Sequence, residues 1–231
     1  MDVQTSSLSS LMSRSMRILE ETEKSICALK LNRQLVLPLG PRRVAKIVKL
    51  AHNFDLPVIM DCKINDIGFT NRAIAEHYFS LGFDAVTANP FVGWVGGLDA
   101  VFQSAEEYGA GVILLVLMSH PGSFEGYGQT VIDSVNGETS PQYLVFAKKA
   151  MTWNADGIVV GATFVERLEE IHRAVQGKLS IYCPGVGAQG GKIAEAVRSG
   201  ADYFIVGRTI YNSDNPGKVA EQLRATSVAR G

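Results

Sequence analysis

Short runs rich in Val, Ile, Leu and aromatic residues alternate along the chain with longer stretches whose apolar positions recur every three or four residues. The runs lie at 26–31, 57–61, 85–88, 111–118, 157–160, 179–183 and 203–206. Nearly unbroken apolar runs bounded by turn residues are the pattern of parallel strands buried on both faces. Between them, 8–24, 41–53, 71–81, 97–108, 142–153, 165–175, 192–199 and 216–226 carry helical spacing. In the first of these, Leu8, Leu11, Met12, Met16 and Leu19 form one apolar stripe, and Thr5-Ser6-Ser7 just ahead of it suits capping of its free N–H groups. Gly82 and Gly200 follow helical stretches, as C-terminal glycines do.

Repeated alternation of strand and helix implies parallel strands with covering helices. Eight helices, seven strands and a helix at the start are the count expected of an α/β protein of the (β/α)8 TIM-type barrel class with its first strand missing or truncated at the N-terminus. Met1-Asp2-Val3 would then be the last residues of that strand. An open flavodoxin-like sheet is the lesser reading, because it normally needs fewer units. No linker or low-complexity tract divides residues 1–231, so a single barrel domain is expected. The longest connection, 119–140, is Gly-rich and polar and reads as a functional loop.

Composition narrows the function classes. Hydrophobic residues make up 46% of the 231, enough for a large core. The 22 Lys+Arg nearly balance the 23 Asp+Glu, for a net charge of −1, so no nucleic-acid or anionic-membrane partner is expected. The apolar run 112–118 is too short to span a bilayer. Cys27, Cys62 and Cys183 lie far apart, without metal-ligand or redox spacing. With a polar opening segment, these features lead us to expect a soluble, cytoplasmic protein.

In a barrel of this class the chemistry sits at the C-terminal strand ends. There, Asp61-Cys62-Lys63-Ile64-Asn65-Asp66 closes the apolar Pro57-Val58-Ile59-Met60. Strand alternation puts Asp61 and Lys63 on one face and Cys62 on the other. Lys30 ends another strand after Ile26-Cys27-Ala28-Leu29, so Asp2, Lys30, Asp61, Lys63 and Asp66 can form an array of alternating charge that keeps each member ionised. A structural ion-pair network is the plainer reading, but burying several ions is seldom worth the desolvation unless function requires it. A second constellation is Pro184-Gly185-Val186-Gly187-Ala188-Gln189-Gly190-Gly191 with Val206-Gly207-Arg208-Thr209. Glycine loops admit an anion to backbone N–H groups, and Arg208 adds a planar fork for phosphate oxygens. Loops after the last two barrel strands are the recurrent phosphate site of this fold. Ser119, after the strand 111–118, can bond a polar ligand ring. His120 has no carboxylate or second His at useful spacing, and His52, His77 and His172 read as surface or packing residues. Literally, 185–190 match G-x-G-x-x-G, but not in a first βα turn, so no dinucleotide site is inferred.

Taken in order, Lys30, Asp61-x-Lys63-x-x-Asp66-Ile67, Met118-Ser119-His120-Pro121-Gly122, Pro184–Gly191 and Val206-Gly207-Arg208 resemble the orotidine 5′-monophosphate decarboxylases, the archaeal type in particular. The resemblance spans nearly the whole chain, from Asp2 to about Pro216. It implies cofactor-free, metal-free conversion of orotidine 5′-monophosphate to uridine 5′-monophosphate. Lys63 would protonate C6, Asp61 would press on the substrate carboxylate, and Lys30 and Asp2 would bind ribose hydroxyls and orient the array. Asp66, with Ile67 and Thr70, would reach across a homodimer interface into the partner's site. Ser119 would meet the pyrimidine edge; Gln189 and Arg208 would grip the phosphate, with Pro184, Gly185, Val186 and Gly207 in the loops around it. The alternatives are a Mg-dependent relative acting on 3-keto-hexulose phosphates, against which the cation of Lys30 argues, and an inactive barrel kept as a phosphate-ligand-binding module.

Overall fold

A computed structural model describes residues 7–187 and 192–228. Asp2 and the strand remnant expected around it, Thr5 and Ser6 of the expected cap, and Gln189 with its loop neighbours lie outside the described residues. The chain groups into two compact units: residues 1–88, 92–112 and 207–225, and residues 89–91, 113–206 and 226–231. No helix among the described residues is long and apolar enough to cross a membrane.

In the first unit, α1 (Leu8–Thr22) starts where the Ser7 side chain accepts from the Ser10 N–H at 3.2 Å, and it buries Leu11 and Leu19. β1 (Leu29–Asn32), α2 (Arg33–Leu39), α3 (Pro41–His52), β2 (Val58–Ile64), α4 (Gly68–Ser80), β3 (Ala85–Ala88) and α5 (Asp99–Tyr108) follow. The strands pair in parallel in the order β1-β2-β3, with Lys30 beside Ile59 and Asn32 beside Asp61. Among the described residues of this stretch, α2 is an α-helix beyond the expected elements, as is the four-residue helix Arg208–Tyr211 later in the chain. The seven residues of α2 include Pro38, and two turns are too short for a 3.6-residue period to stand out; the Asn32 side chain starts it by accepting from the Leu35 N–H at 3.1 Å.

The second unit holds most of β4 (Gly111–Leu117), then β5 (Thr130–Ile132), β6 (Thr139–Pro141), α6 (Gln142–Thr152), β7 (Gly157–Val160), α7 (Val165–Val175), β8 (Ser180–Pro184), α8 (Ile193–Arg198) and β9 (Tyr203–Ile205). Here the parallel order is β4-β7-β8-β9. β4 and β7 are buried almost end to end, as their unbroken apolar runs require. The connection expected at 119–140 carries an antiparallel hairpin, β5 with β6, whose last residue, Pro141, lies one position beyond it. Its strands are three residues long and carry no alternating pattern, so sequence periodicity does not mark them. The chain then returns to the first unit with α9 (Arg208–Tyr211) and most of α10 (Pro216–Val228).

All seven expected parallel strands are present among the described residues, with bounds within three residues of expectation. One local device recurs in both units at the opposite end of the strands from the expected chemistry. The Asp84 carboxylate accepts from the Val58 N–H at 2.6 Å while its own N–H donates to the Val58 carbonyl at 2.9 Å. Asp202 does the same with Ile181, at 2.9 and 3.1 Å. Each aspartate thereby satisfies a backbone donor at the start of the neighbouring strand. His52 joins the first of these clamps, 2.9 Å from Asp84, and His172 packs against Gly200, where a Cβ would lie 2.2 Å from the imidazole. Both histidines are thus structural.

Candidate active site

The end of β2 is irregular, and the irregularity builds the site. Met60 pairs with Val86 and Ile64 with Ala88, so Asp61, Cys62 and Lys63 all stand opposite the single residue Thr87. Such a bulge re-aims side chains at a strand end. It holds Lys63 at φ 48°, the left-handed region that a side chain rarely adopts, at a cost on the order of 1–3 kcal/mol that surrounding contacts must offset. Thr87 supplies them. Its hydroxyl accepts from the Lys63 N–H at 2.9 Å and donates to Asp61 Oδ1 at 3.1 Å, and its carbonyl accepts from the Cys62 thiol at 3.5 Å. Cys62 is buried, while Asp61 and Lys63 are part-exposed, so the expected division of faces holds through the bulge.

Around Asp61 the charges converge. Lys30 Nζ lies 2.6 Å from Asp61 Oδ2, and Lys63 Nζ lies 2.6 Å from Asp61 Oδ1. The carboxylate side chain is 15% exposed, so burial alone would raise its pKa. Against that burial, the ammonium charges and hydrogen bonds of Lys30 and Lys63 win, and the pKa falls to about 2. Asp61 is therefore an anion at any working pH. Next to it, burial and then the Asp61 charge push the Cys62 thiol up to about 12, which leaves it protonated and inert as a nucleophile. The arrangement provides a fixed anion between two ammonium groups, one of them able to donate a proton at the strand end.

Asp66 stands apart from this triad in the turn before α4. Its carboxylate accepts from the Ile67 N–H at 2.8 Å, and the buried Asn71 holds the turn by accepting from the Asp66 N–H at 2.9 Å and donating to the Asp66 and Gly97 carbonyls. Gly68 sits against Gly96, where a Cβ would lie 3.2 Å from the Gly96 carbonyl, and this brings the turn beside Val95. Ile67, Phe69 and Val95 are 68%, 88% and 91% exposed, so an apolar surface flanks Asp66. Thr70 is half-buried in the first turn of α4.

The other expected residues take their places unit by unit. In the first, Gly207 caps α9 and Arg208 is its first residue, both exposed. In the second, Ser119 follows β4, and its carbonyl accepts from the Thr163 hydroxyl at 3.0 Å. Only glycine fits at 161, because a Cβ there would lie 2.7 Å from the Ser119 Cα. Pro184 ends β8 and accepts from the Ala162 N–H at 2.8 Å; Gly185 and Gly187 take φ 98° and 71°, and Val186 is buried. Thr87 was invisible to motif reasoning. Its one signal is a hydroxyl in an otherwise apolar strand, Ala85-Val86-Thr87-Ala88.

Comparison with known proteins shows the family and the fold. Residues 1–223 match the family model described as "Orotidine 5'-phosphate decarboxylase / HUMPS family". The chain is 37% identical over 208 residues to an orotidine 5′-phosphate decarboxylase of Methanococcoides burtonii, covering 90% of this chain and 88% of that one. It is 36% identical over 210 residues to that of Pyrococcus abyssi, covering 91% of each. Among solved structures, the orotidine 5′-monophosphate decarboxylase of Methanocaldococcus jannaschii in complex with the inhibitor BMP is 32% identical, with a TM-score of 0.81 over 94% of both chains. The alternating strands and helices are those of an α/β TIM-type barrel, and the chain belongs to the orotidine 5′-phosphate decarboxylase / HUMPS family.

Proposed function

We propose that this protein decarboxylates orotidine 5′-monophosphate to uridine 5′-monophosphate in pyrimidine biosynthesis, without a cofactor. The observation that carries the reading is the Lys30–Asp61–Lys63 array with both ion pairs at 2.6 Å. Asp61, anionic down to a pH of about 2, faces the substrate carboxylate, and the repulsion is relieved as carbon dioxide leaves. The C6–carboxylate bond breaks, its electron pair stays on C6, and a proton from the Lys63 ammonium completes the product. Solvent then reprotonates Lys63, so the net reaction consumes one proton. Lys30 orients the array and, with Asp2, bonds the ribose. Ser119 meets the pyrimidine edge, and Arg208, Gln189 and the loops at Pro184–Val186 and Gly207 hold the phosphate. Residues 1–231 act as one catalytic domain, in the cytoplasm.

A Mg-dependent reaction on a keto-hexulose phosphate is the competing chemistry within the family. Both oxygens of Asp61 are already taken by ammonium groups, and a divalent cation there would meet like charge. Turnover of orotidine 5′-monophosphate in the presence of a chelator tests the reading. Undiminished turnover supports it, whereas turnover only of a keto-hexulose phosphate with added Mg²⁺ overturns it.

The exposed Ile67, Phe69 and Val95 beside Asp66 support a homodimer in which Asp66, Ile67 and Thr70 enter the partner's site. Asp66→Ala and Lys63→Ala variants, each inactive alone, are then expected to regain activity when mixed, because each heterodimer carries one intact site. Absence of recovery after verified subunit exchange would place Asp66 in its own chain's site. For the phosphate, Arg208→Ala is expected to raise KM by about 10–100-fold with a smaller change in kcat, since the contact lies away from the reacting carbon. Steady-state kinetics decide this, and an unchanged KM would assign the phosphate to other groups.

A further inference from the structure

We infer that Thr87 is a positioning residue, whose hydroxyl holds the β2 bulge in the shape that aims Asp61 and Lys63 at the two ends of the bond that breaks. The inference rests on the decarboxylase reading. A hydroxyl has one proton to give and lone pairs to accept with, and Thr87 uses both: it donates to Asp61 Oδ1 at 3.1 Å and accepts from the Lys63 N–H at 2.9 Å. The residue is 2% exposed, so water does not replace either bond. Its carbonyl also takes the Cys62 thiol, so one residue of β3 touches all three residues of the bulge. On the β3 side the ladder is interrupted between Met60 and Ile64, so regular ladder bonds do not hold the bulge there. Lys63 stands at φ 48°, where a lysine stays only if neighbours hold it there. Without the hydroxyl, the Lys63 N–H is left without its acceptor, and the backbone is free to relax toward a regular strand. That relaxation would swing the ammonium away from the Asp61 carboxylate. Displacements of about 1 Å at a reacting group lower rates by up to about a hundredfold.

The test compares Thr87→Val, which keeps the shape and removes the hydroxyl, with Thr87→Ser, which keeps the hydroxyl. For orotidine 5′-monophosphate, Thr87→Val is expected to lower kcat about 10–100-fold with KM within about threefold of wild type. Thr87→Ser is expected to restore kcat to within about threefold. Hydrogen exchange at the Lys63 amide provides a readout independent of turnover. It should speed up at least about tenfold in Thr87→Val, return in Thr87→Ser, and leave the amides of Val58–Met60 unchanged. Wild-type kcat in Thr87→Val, a Thr87→Ser variant as slow as Thr87→Val, or unaltered exchange at Lys63 would each overturn the inference. A wild-type protein that does not turn over the nucleotide would instead refute the decarboxylase reading, and the tether then stands or falls on the exchange result alone.

Discussion

Lys63→Ala is expected to abolish carbon dioxide release from orotidine 5′-monophosphate, lowering kcat by more than about a thousandfold while the protein stays folded. The Lys63 ammonium has two roles in the proposed step: it neutralises charge growing on C6 and it delivers the proton that ends the reaction. Loss of general-acid catalysis alone costs about 10²–10⁴-fold, and loss of a preorganised charge at the reacting atom adds to that. The fold survives because the bond from the Lys63 N–H to Thr87 involves only backbone on the lysine side, and Asp61 keeps Lys30 at 2.6 Å and Thr87 at 3.1 Å. Release of carbon dioxide from carboxyl-labelled substrate, beside a urea unfolding curve, measures both halves. Turnover near wild type in a folded Lys63→Ala protein would move the proton donor elsewhere and end the assignment.

Asp61→Asn is expected to lower kcat by a comparable factor and, unlike Lys63→Ala, to destabilise the fold. The neutral amide leaves the ammonium groups of Lys30 and Lys63 without the anion that both of them contact. Removing one partner of a buried ion pair costs about 3–5 kcal/mol, and the partial exposure of both lysines, at 19% and 32%, brings the expected loss nearer 2 kcal/mol. The wild type carries the matching signature in its pH dependence. The folded-state pKa of Asp61, about 2, lies below its ordinary value of 3.8. Ionised Asp61 therefore stabilises the fold fully above about 4, and that stabilisation is lost as pH falls through about 2. The difference is worth about 2 kcal/mol. Denaturant unfolding between pH 5 and 2 should show it in the wild type and lose it in Asp61→Asn. Parallel curves for the two proteins across that range would mean that the ion pairs contribute nothing to folding.

Much of this site could be read from spacing. Asp61 and Lys63 sit two apart at the end of an apolar run, so any strand there puts them on one face, and the alternation of runs and helical stretches brings Lys30 onto the neighbouring strand. What spacing could not supply was the bulge. A two-residue period describes a regular ladder, and nothing in Asp61-Cys62-Lys63 announces that three residues will face one, or that a lysine will sit at positive φ. Thr87 escaped for the same reason, since its contacts lie 24 and 26 residues away in sequence. The hairpin β5–β6 and the helix α2 escaped because they are too short for a period to repeat.

By itself, the sequence determined the succession of buried strands and amphipathic helices and placed a carboxylate and an ammonium on one strand face, because hydrophobic periodicity and side-chain alternation are local properties of the chain. Tertiary structure alone decided that Asp61 is an anion held near a pKa of 2 and that Lys63 is aimed at it from a strained backbone. Those outcomes come from Lys30 and Thr87 on neighbouring strands, and the strength of a charge or a hydrogen bond is set by what lies within about 4 Å in space, not by what adjoins it in sequence.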